Sequence, residues 1–418
     1  MMKLSETLRE RGYVYQFSSE NLEEITDGAK RTVYLGIDPT ADSLHVGHLQ
    51  AMLVLRRFLE DGHKVILLIG GGTGMIGDPS GKSEERNLLD AETLSHNAAC
   101  IKVQAEQLFN AMDFAMVNNA HWLEKLNFIE FLRDIGKHFS VNAMLQRDSV
   151  KERLQSQEQG ISYTEFSYML LQAYDFLYLN NEYGCDLQIG ASDQWGNIVS
   201  GVDLIRRKTG KTAYALSSPL LINKSTGKKF GKSEGGAIWL DAAKTSPFQF
   251  YQFWFNTEDD QVEEFLLKMT LLPKEEINTI MSQHGQNPSD RIAQRRLAHH
   301  VTAIVHGSGI ATEVGKASAV LFVGNAEALN RINESDLNIL KEQAPHAKIE
   351  SGATILDVLI LSELATSKRE ARQFVSDKAV TLNGQLVDES KTIESSDFIH
   401  DLAFLKRGKR NVVVLTLT

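Results

Sequence analysis

Cysteine is nearly missing from this chain. Its 418 residues hold two, Cys100 and Cys185, far apart and without CxxC spacing. That excludes a zinc ribbon or dithiol redox motif and fits two reduced thiols. Long apolar runs are missing too, since no stretch approaches the roughly 20 residues that a bilayer-crossing helix needs. The opening MMKLSETLRERGYVYQF has no apolar signal core and carries Glu6 and Glu10, so it reads as an amphipathic helix rather than a targeting peptide. A soluble, cytoplasmic protein is the expectation, with no membrane partner. Positive charge is in deficit: 44 Lys and Arg against 54 Asp and Glu leave a net charge of -10. The surface as a whole does not attract nucleic acid, and any RNA contact must be local. Repeats and low-complexity segments are absent. What is present is apolar residues at 42%, enough for a full core and two or three domains.

The chain is organised around YLGIDPTADSLHVGHL, Tyr34 to Leu49. Val33 to Ile37 has the residues of a buried strand. Asp38-Pro39-Thr40 breaks it. From Ser43 the pattern is helical, and a helix is predicted from His45 to Asp61. His45 and His48 then share a face near a helix start, and Gly47 between them lets a ligand approach the backbone. A helix N-terminus after a strand suits a phosphate.

Alternation of strand and helix continues to about residue 220. Strands are predicted at Lys64 to Ile69, Phe114 to Asn118, Asp186 to Ile189 and Leu220 to Ile222. Helices are predicted at Leu94 to Ala111, Phe128 to Gly136 and Thr164 to Leu179. This predicts an α/β, doubly wound parallel-sheet (Rossmann-like) domain with ligands at the carboxyl ends of the strands. GGGTGMIGDPSGK, from Gly70, matches a dinucleotide fingerprint, but Asp78-Pro79 stands where the fingerprint needs a running helix. It fails as a P-loop because Ile76 replaces the first glycine. What remains is a tight turn that presents Asp78 at a strand end.

Tyr168, Gln172 and Asp175 fall on one helical face among apolar neighbours. Such a stripe is either a solvent face or a pocket wall. In DLQIGASDQWGN, Asp193 and Gln194 follow a strand end, where Asp193 serves as a helix cap, a ligand contact or both. Asn118 also follows a predicted strand. Further on, KKFGKS (Lys228 to Ser233) lies in a glycine- and lysine-rich loop of the kind that closes over phosphates.

HVGH with KFGKS resembles the paired signatures of class I aminoacyl-tRNA synthetases. The flanks YLGIDPTADSLHVGHL, GMIGDPSGK, YTEFSYMLLQAYDF and QIGASDQWGNI resemble bacterial-type tyrosyl-tRNA synthetases. The resemblance runs from near residue 30 to the C-terminus. It implies that ATP and L-tyrosine form tyrosyl-adenylate, and that the tyrosyl group passes to tRNA(Tyr). It implies that Tyr34 and Asp175 bind the phenol hydroxyl, and that Asp78, Tyr168 and Gln172 bind the ammonium group. Gln194 approaches the carboxylate, while Gln188 and Asn118 complete the tyrosine pocket. Gly36, Asp38, Gly47, Asp193 and Lys232 contact ATP or the adenylate. His45, His48, Thr40, Lys229, Lys232 and Ser233 act on the transferring phosphate and departing pyrophosphate. Magnesium enters with ATP, and no tightly bound metal is expected. Leu35 and Ala51 stand where some members carry Cys and Thr near the ribose, so no polar ribose contact is expected from these two side chains. A homodimer is implied, with Phe131 to Leu145 near its interface. The tryptophanyl relatives are the nearest rival, and Asp175 with Tyr34 argues against them. A synthetase-like RNA-binding module without catalysis is the rival from another class.

From Ser246 to Val323 the pattern is helical, PFQFYQFWF reads as core, and Arg291, Arg295 and Arg296 form a basic cluster. Gly324 to Glu350 reads as a linker. Beyond it, TILDVLILSELATSKREARQFVSDKAVTLNGQLV resembles the S-four (ribosomal protein) RNA-binding domain. Its Lys368, Arg369 and Arg372, with Lys406 and Arg407, form a local phosphate footprint. The expected division is a catalytic domain over 1–235, an α-helical domain over 236–324, a linker over 325–350 and a small α+β RNA-binding domain over 351–418.

Overall fold

The six residues KVILLI are buried at every position but the first, as a strand covered on both faces must be. This strand lies inside the sheet that carries the candidate site, with a neighbour on each side. The computed structural model describes residues 2–78, 80, 89–147, 150–151, 154, 160–222, 230, 232–233 (backbone only), 236–408 and 411–418. Two compact units result, one of Met1–Leu240 with Leu267–Met269, the other of Asp241–Leu266 with Thr270–Thr418.

In the first unit the strands are β1 (Gln16–Phe17), β2 (Thr32–Ile37), β3 (Lys64–Ile69), β4 (Ala115–Asn118), β5 (Leu187–Ala191) and β6 (Tyr214–Ser218). They form one sheet in the order β1-β6-β5-β2-β3-β4. Every pairing is parallel except that of β1 with β6. Strand order therefore runs outward from β2 to β4 on one side and through β5 and β6 on the other. The reversal lies between β2 and β5, where Tyr34 pairs with Gln188. Doubly wound sheets open a ligand crevice at this point, beyond the carboxyl ends of the strands. The helices are α1 (Leu4–Glu10), α2 (Leu22–Thr26), α3 (Val46–Glu60), α4 (Ala91–Leu108), α5 (Ala120–Leu123), α6 (Phe128–Asp134), α7 (Val141–Leu145), α8 (Tyr163–Tyr183) and α9 (Trp195–Thr209). Two short strands, β7 (Lys232–Ser233) and β8 (Gly236–Ala237), pair antiparallel.

One strand differs from the sequence reading. The last parallel strand is YALSS, not Leu220 to Ile222. Its Ala215, Leu216, Ser217 and Ser218 are buried. Small residues suffice because β6 lies between β5 and β1, and they carry little hydrophobic signal. Ile222, by contrast, is exposed.

After Leu240 come α10 (Pro247–Phe255), α11 (Val262–Met269, whose last three residues belong to the first unit), α12 (Lys274–Gln286), α13 (Ile292–His306) and α14 (Ser308–Val323). Phe248, Phe250, Tyr251, Trp254 and Phe255 are all buried, so the aromatic run is core. Where the sequence reads as a linker, the chain forms α15 (Ala326–Asn330), α16 (Glu334–Gln343) and β9 (His346–Ile349). β9 pairs parallel with the last strand. The remaining elements are β10 (Ala353–Thr354), α17 (Ile355–Leu361), α18 (Lys368–Ser376), β11 (Val380–Leu382), β12 (Gln385–Leu386), β13 (Thr392–Ile393), β14 (Ala403–Arg407) and β15 (Asn411–Leu417). The main sheet runs β12-β11-β14-β15-β9. Asn383 and Gly384, at φ 49° and 82°, make the left-handed turn that joins β11 to β12.

Candidate active site

The segment that follows the second signature meets the first through the backbone. His45 is the N-cap of α3, and its Nδ1 accepts from the Gly47 N–H at 3.0 Å. His48 Nδ1 accepts from the His45 N–H at 3.2 Å. The Val46 N–H donates to the Ile238 carbonyl, and the Leu240 N–H to the Leu44 carbonyl. Ile238 to Leu240, just after KFGKS, thus run beside Leu44 to Val46, and Trp239 meets the His45 ring edge-on at 6.0 Å. The two imidazoles stack with centroids 3.9 Å apart.

This geometry corrects the expected use of the α3 N-terminus. The N–H groups of His45, Val46, Gly47 and His48 already have acceptors within the chain, so a phosphate does not meet them. Gly47 serves the cap instead: a Cβ there would stand 2.7 Å from His45 Cε1. What α3 offers a phosphate is the imidazoles. Because each Nδ1 accepts, the proton of the neutral ring sits on Nε2 and that atom donates. Burial and the neighbouring His45 lower the His48 pKa to about 3, so His48 is a neutral donor at pH 7. Lys229 lies outside the described residues, as do the side chains of Lys232 and Ser233.

At the other end of the crevice, Asp175 is 2% exposed. Its carboxylate accepts from Asn119 Nδ2 at 2.8 Å and from Trp122 Nε1 at 2.7 Å. Burial outweighs these two donors, and with the charge of Asp38 it raises the pKa to about 7. The buried Tyr34 hydroxyl, whose pKa is raised by burial and by Asp175, has no hydrogen-bond partner among the described residues. Nor has Oε1 of Gln188 on the adjacent strand. Buried polar atoms left unpaired are costly, and their clustering at the strand-order reversal marks a place for a polar ligand.

Between these ends, Tyr168 donates its hydroxyl to Asp38 Oδ2 at 3.0 Å. Asp78 accepts from Gln194 Nε2 at 2.6 Å and from the Ser80 N–H. Asn197 Nδ2 reaches Gln172 Oε1 at 3.0 Å. Asp38 and Tyr168 therefore form one bonded pair, and Asp78, Gln194, Asn197 and Gln172 form a second hydrogen-bonded group. Gly36 is the exposed position of the otherwise buried end of β2, which leaves open space above the central strand. Thr40 is exposed just beyond it, its N–H bonded to the Asp38 carbonyl. Asp193 lies in the turn Ser192–Gln194 after β5, and Gln194 rather than Asp193 is the N-cap of α9.

Asn118 is the second correction. Its Oδ1 caps the backbone at Ala120, and the next residue, Asn119, enters the pocket. A one-residue step past a strand end reverses the side-chain direction. Asn119, Trp122, Thr73 and Asn197 are missing from the sequence reading. Nothing in their spacing points to Asp175 or Gln172, because the contacts join distant segments.

The basic residues of the second unit also differ from a plain phosphate footprint. Arg369 is exposed, Lys368 pairs with Asp357 at 2.7 Å and Arg372 lies 3.8 Å from Glu389. Lys406 donates to the Phe322 carbonyl, and Arg407 to the Leu364 carbonyl while lying over the Phe374 ring. Arg291 bonds the carbonyls of Phe255 and Thr257, Arg295 that of Asp290, and Arg296 pairs with Glu276. A residue type and a helical face do not reveal such local acceptors.

Comparison with known proteins identifies the family. Residues 26–323 match the family model of tRNA synthetases class I (W and Y). Residues 336–415 match that of the tyrosine–tRNA ligase SYY-like C-terminal domain. The tyrosine–tRNA ligase of Staphylococcus carnosus is 46% identical over 98% of this chain and 97% of its own. That of Roseiflexus castenholzii is 44% identical over the full length of both. The structure of a C-terminally truncated mitochondrial tyrosyl-tRNA synthetase from Aspergillus nidulans superposes with a TM-score of 0.69 at 32% identity, covering 77% of this chain and 94% of that one. The chain belongs to the class I tRNA synthetases, among the bacterial-type tyrosine–tRNA ligases.

Proposed function

We propose that the crevice between β2 and β5 carries out the two steps of the family reaction: activation of L-tyrosine by ATP, then transfer of the tyrosyl group to tRNA(Tyr). The observation that carries this reading is the unpartnered, buried Tyr34 hydroxyl beside an Asp175 carboxylate held by two donors. A phenol hydroxyl donates to Asp175 and accepts from Tyr34. A phenylalanine ring leaves both groups unpaired, which disfavours it. The ammonium group sits among Asp78, Tyr168 and Gln172. Gln194 turns toward the substrate carboxylate, and Asn118 supports the pocket through the backbone it caps.

That carboxylate attacks the α-phosphate in line, forming the new P–O bond as the bond to pyrophosphate breaks. The nucleophile is already anionic, so the protein positions the groups and stabilises charge rather than removing a proton. His45 and His48 donate from Nε2 toward the phosphate. Thr40, Lys229, Lys232 and Ser233 hold the leaving pyrophosphate. Asp193 binds the ribose, Gly36 leaves room for the nucleotide, and Gly47 makes room for the His45 ring. In the second step a hydroxyl of the terminal adenosine of the tRNA attacks the mixed anhydride and AMP departs. Magnesium enters as part of the ATP complex, held by its phosphates. Among the described residues no group of three or more His, Cys, Asp or Glu could hold a metal ion.

The wider reading follows the same line. Residues 1–235 activate tyrosine, and the helical residues 236–324 and the module over 351–418 take the RNA. Within that module Arg369, Lys368 and Arg372 supply the more exposed charges. The protein works as a homodimer in the cytoplasm. Exposed Phe128, Ile129, Val141 and Tyr163 on α6, α7 and α8 support a self-association face. No described helix is long and apolar enough to cross a membrane. The test is ATP–pyrophosphate exchange without tRNA, using tyrosine, phenylalanine and tryptophan in turn. Exchange with tyrosine alone is expected. Exchange with tryptophan overturns the roles of Tyr34 and Asp175, and no exchange by folded, RNA-binding protein favours a module without catalysis.

A further inference from the structure

We propose that Thr73 is a positioning residue whose hydroxyl joins Asp38, the carboxylate that holds Tyr168 at the ammonium end of the pocket, through Asn119 to Asp175, the carboxylate at the phenol end. The proposal rests on the reading of this crevice as the tyrosine site. Thr73 is 2% exposed, at the start of the turn Thr73–Met75. Its Oγ1 donates to Asp38 Oδ1 at 2.8 Å and accepts from Asn119 Nδ2 at 2.9 Å. The same Asn119 nitrogen donates to Asp175 Oδ2 at 2.8 Å, and Asn119 Oδ1 accepts from the Gly72 N–H at 2.8 Å.

The direction of every bond is determined. The Gly72 N–H identifies the oxygen of the Asn119 amide, so both N–H bonds point to Thr73 and Asp175. A carboxylate at Asp38 accepts only, so the Thr73 hydroxyl donates there and keeps a lone pair for Asn119. The chain Asn119 to Thr73 to Asp38 thus has one sense. Asn119 is completely buried, so bulk solvent does not reach it to replace a lost partner. The backbone is shaped for the Thr73–Asp38 contact: a Cβ at Gly70 would stand 2.0 Å from Asp38 Oδ1 and 2.4 Å from Thr73 Oγ1.

Removing the hydroxyl takes the acceptor from one N–H of Asn119 and one donor from Asp38. The Asn119 amide is then free to turn away from Asp175, while Asp38, which also holds Tyr168, shifts in its cradle. One hydroxyl therefore sets both tyrosine affinity and the discrimination between tyrosine and phenylalanine. Packing alone does neither when the side-chain volume is kept.

The experiment compares Thr73→Val, which keeps shape and loses the hydroxyl, with Thr73→Ser, which keeps the hydroxyl. Thr73→Ala against Thr73→Ser is a second pair that differs by the hydroxyl alone and serves even where valine prevents folding. Each full-length variant is assayed by pyrophosphate exchange with tyrosine and with phenylalanine. The expected result is a KM for tyrosine raised about tenfold in Val and Ala, the size of a lost hydrogen bond to a charged group. The tyrosine-to-phenylalanine ratio of kcat/KM falls by a similar factor, kcat for tyrosine changes less than KM, and Ser restores both. A ratio unchanged within twofold in Val and Ala, or a Ser variant as impaired as Ala, overturns the proposal. Absence of tyrosine-dependent exchange in the unaltered protein instead overturns the reading of the site on which it rests.

Discussion

His48 Nδ1 accepts a hydrogen bond from the backbone N–H of His45 at 3.2 Å, so one imidazole closes the helix cap that the other begins. This leaves Nε2 of His48 as a donor. A donor whose bond strengthens as charge builds on the phosphate lowers the barrier without tightening substrate binding. His48→Ala is expected to slow adenylate formation by about 10²-fold, the usual effect of deleting one such donor, with little change in tyrosine affinity. Single-turnover adenylation with equilibrium tyrosine binding checks it. With a pKa lowered to about 3, His48 adds no titration step to that rate between pH 6 and 9.

Asp175 predicts a pH dependence of opposite origin. Its pKa is raised from 3.8 to about 7, so the folded apo protein binds this proton more tightly than the unfolded chain. The stability this group contributes is full below about pH 4 and is lost as pH rises through about 7. Bound tyrosine reverses the preference, because the phenol donates to the charged form. Tyrosine affinity is expected to rise with pH up to about 7 and then level off, with proton release on binding. Calorimetry in buffers of different ionisation enthalpy measures that release. A dissociation constant unchanged from pH 5.5 to 8 would falsify the role.

Gly47 allows a test of the cap itself. Its φ is not in the left-handed region, so the reason for glycine is space, and the obstacle is the His45 ring at 2.7 and 2.9 Å from an added Cβ. Gly47→Ala is expected to displace that ring, break its bond to the Gly47 N–H and reduce adenylation about tenfold or more. Loss of an N-cap bond costs about 1 kcal/mol, so the melting temperature falls by only a few degrees. Full exchange activity in this variant means the His45 ring position does not matter.

These residues also show what the sequence made legible. KVILLI and the strand at Tyr34 were readable because buried parallel strands are continuous apolar runs. HVGH and KFGKS were readable because short segments carry their chemistry together. Asn119 and Trp122 were not, since their role is a bond to a residue more than 50 positions away, Asp175. Asn118 stood in place of Asn119 because the strand, which does end at Asn118, gives no sign that the residue after it is the one that turns toward Asp175. β6 escaped because its burial comes from neighbours rather than its own apolarity, and β9 because a parallel pairing with a distant strand leaves no local mark.

The pairing of β9 with β15 bears on how the RNA-binding part should be removed. A cut at residue 350 keeps β9 but deletes the strand that holds it, registered Val414 to His346 through Leu417 to Ile349. The remainder has an unpaired strand edge, which invites aggregation. It also keeps Ile349 and Ala347, buried in the core cluster formed with Leu405 and Leu415, now open to water. A cut after Val323 falls instead at Gly324, where a left-handed glycine at φ 62° ends α14. The truncation at Val323 is expected to stay monodisperse and to retain tyrosine-dependent pyrophosphate exchange near the full-length rate, because the activating residues lie in the first unit. Its charging of tRNA should fall at least tenfold, through KM for tRNA, with a weaker salt dependence than the intact chain as phosphate contacts are lost. Charging measured at two salt concentrations separates these effects. Undiminished charging by the truncated protein would remove the C-terminal module from tRNA binding.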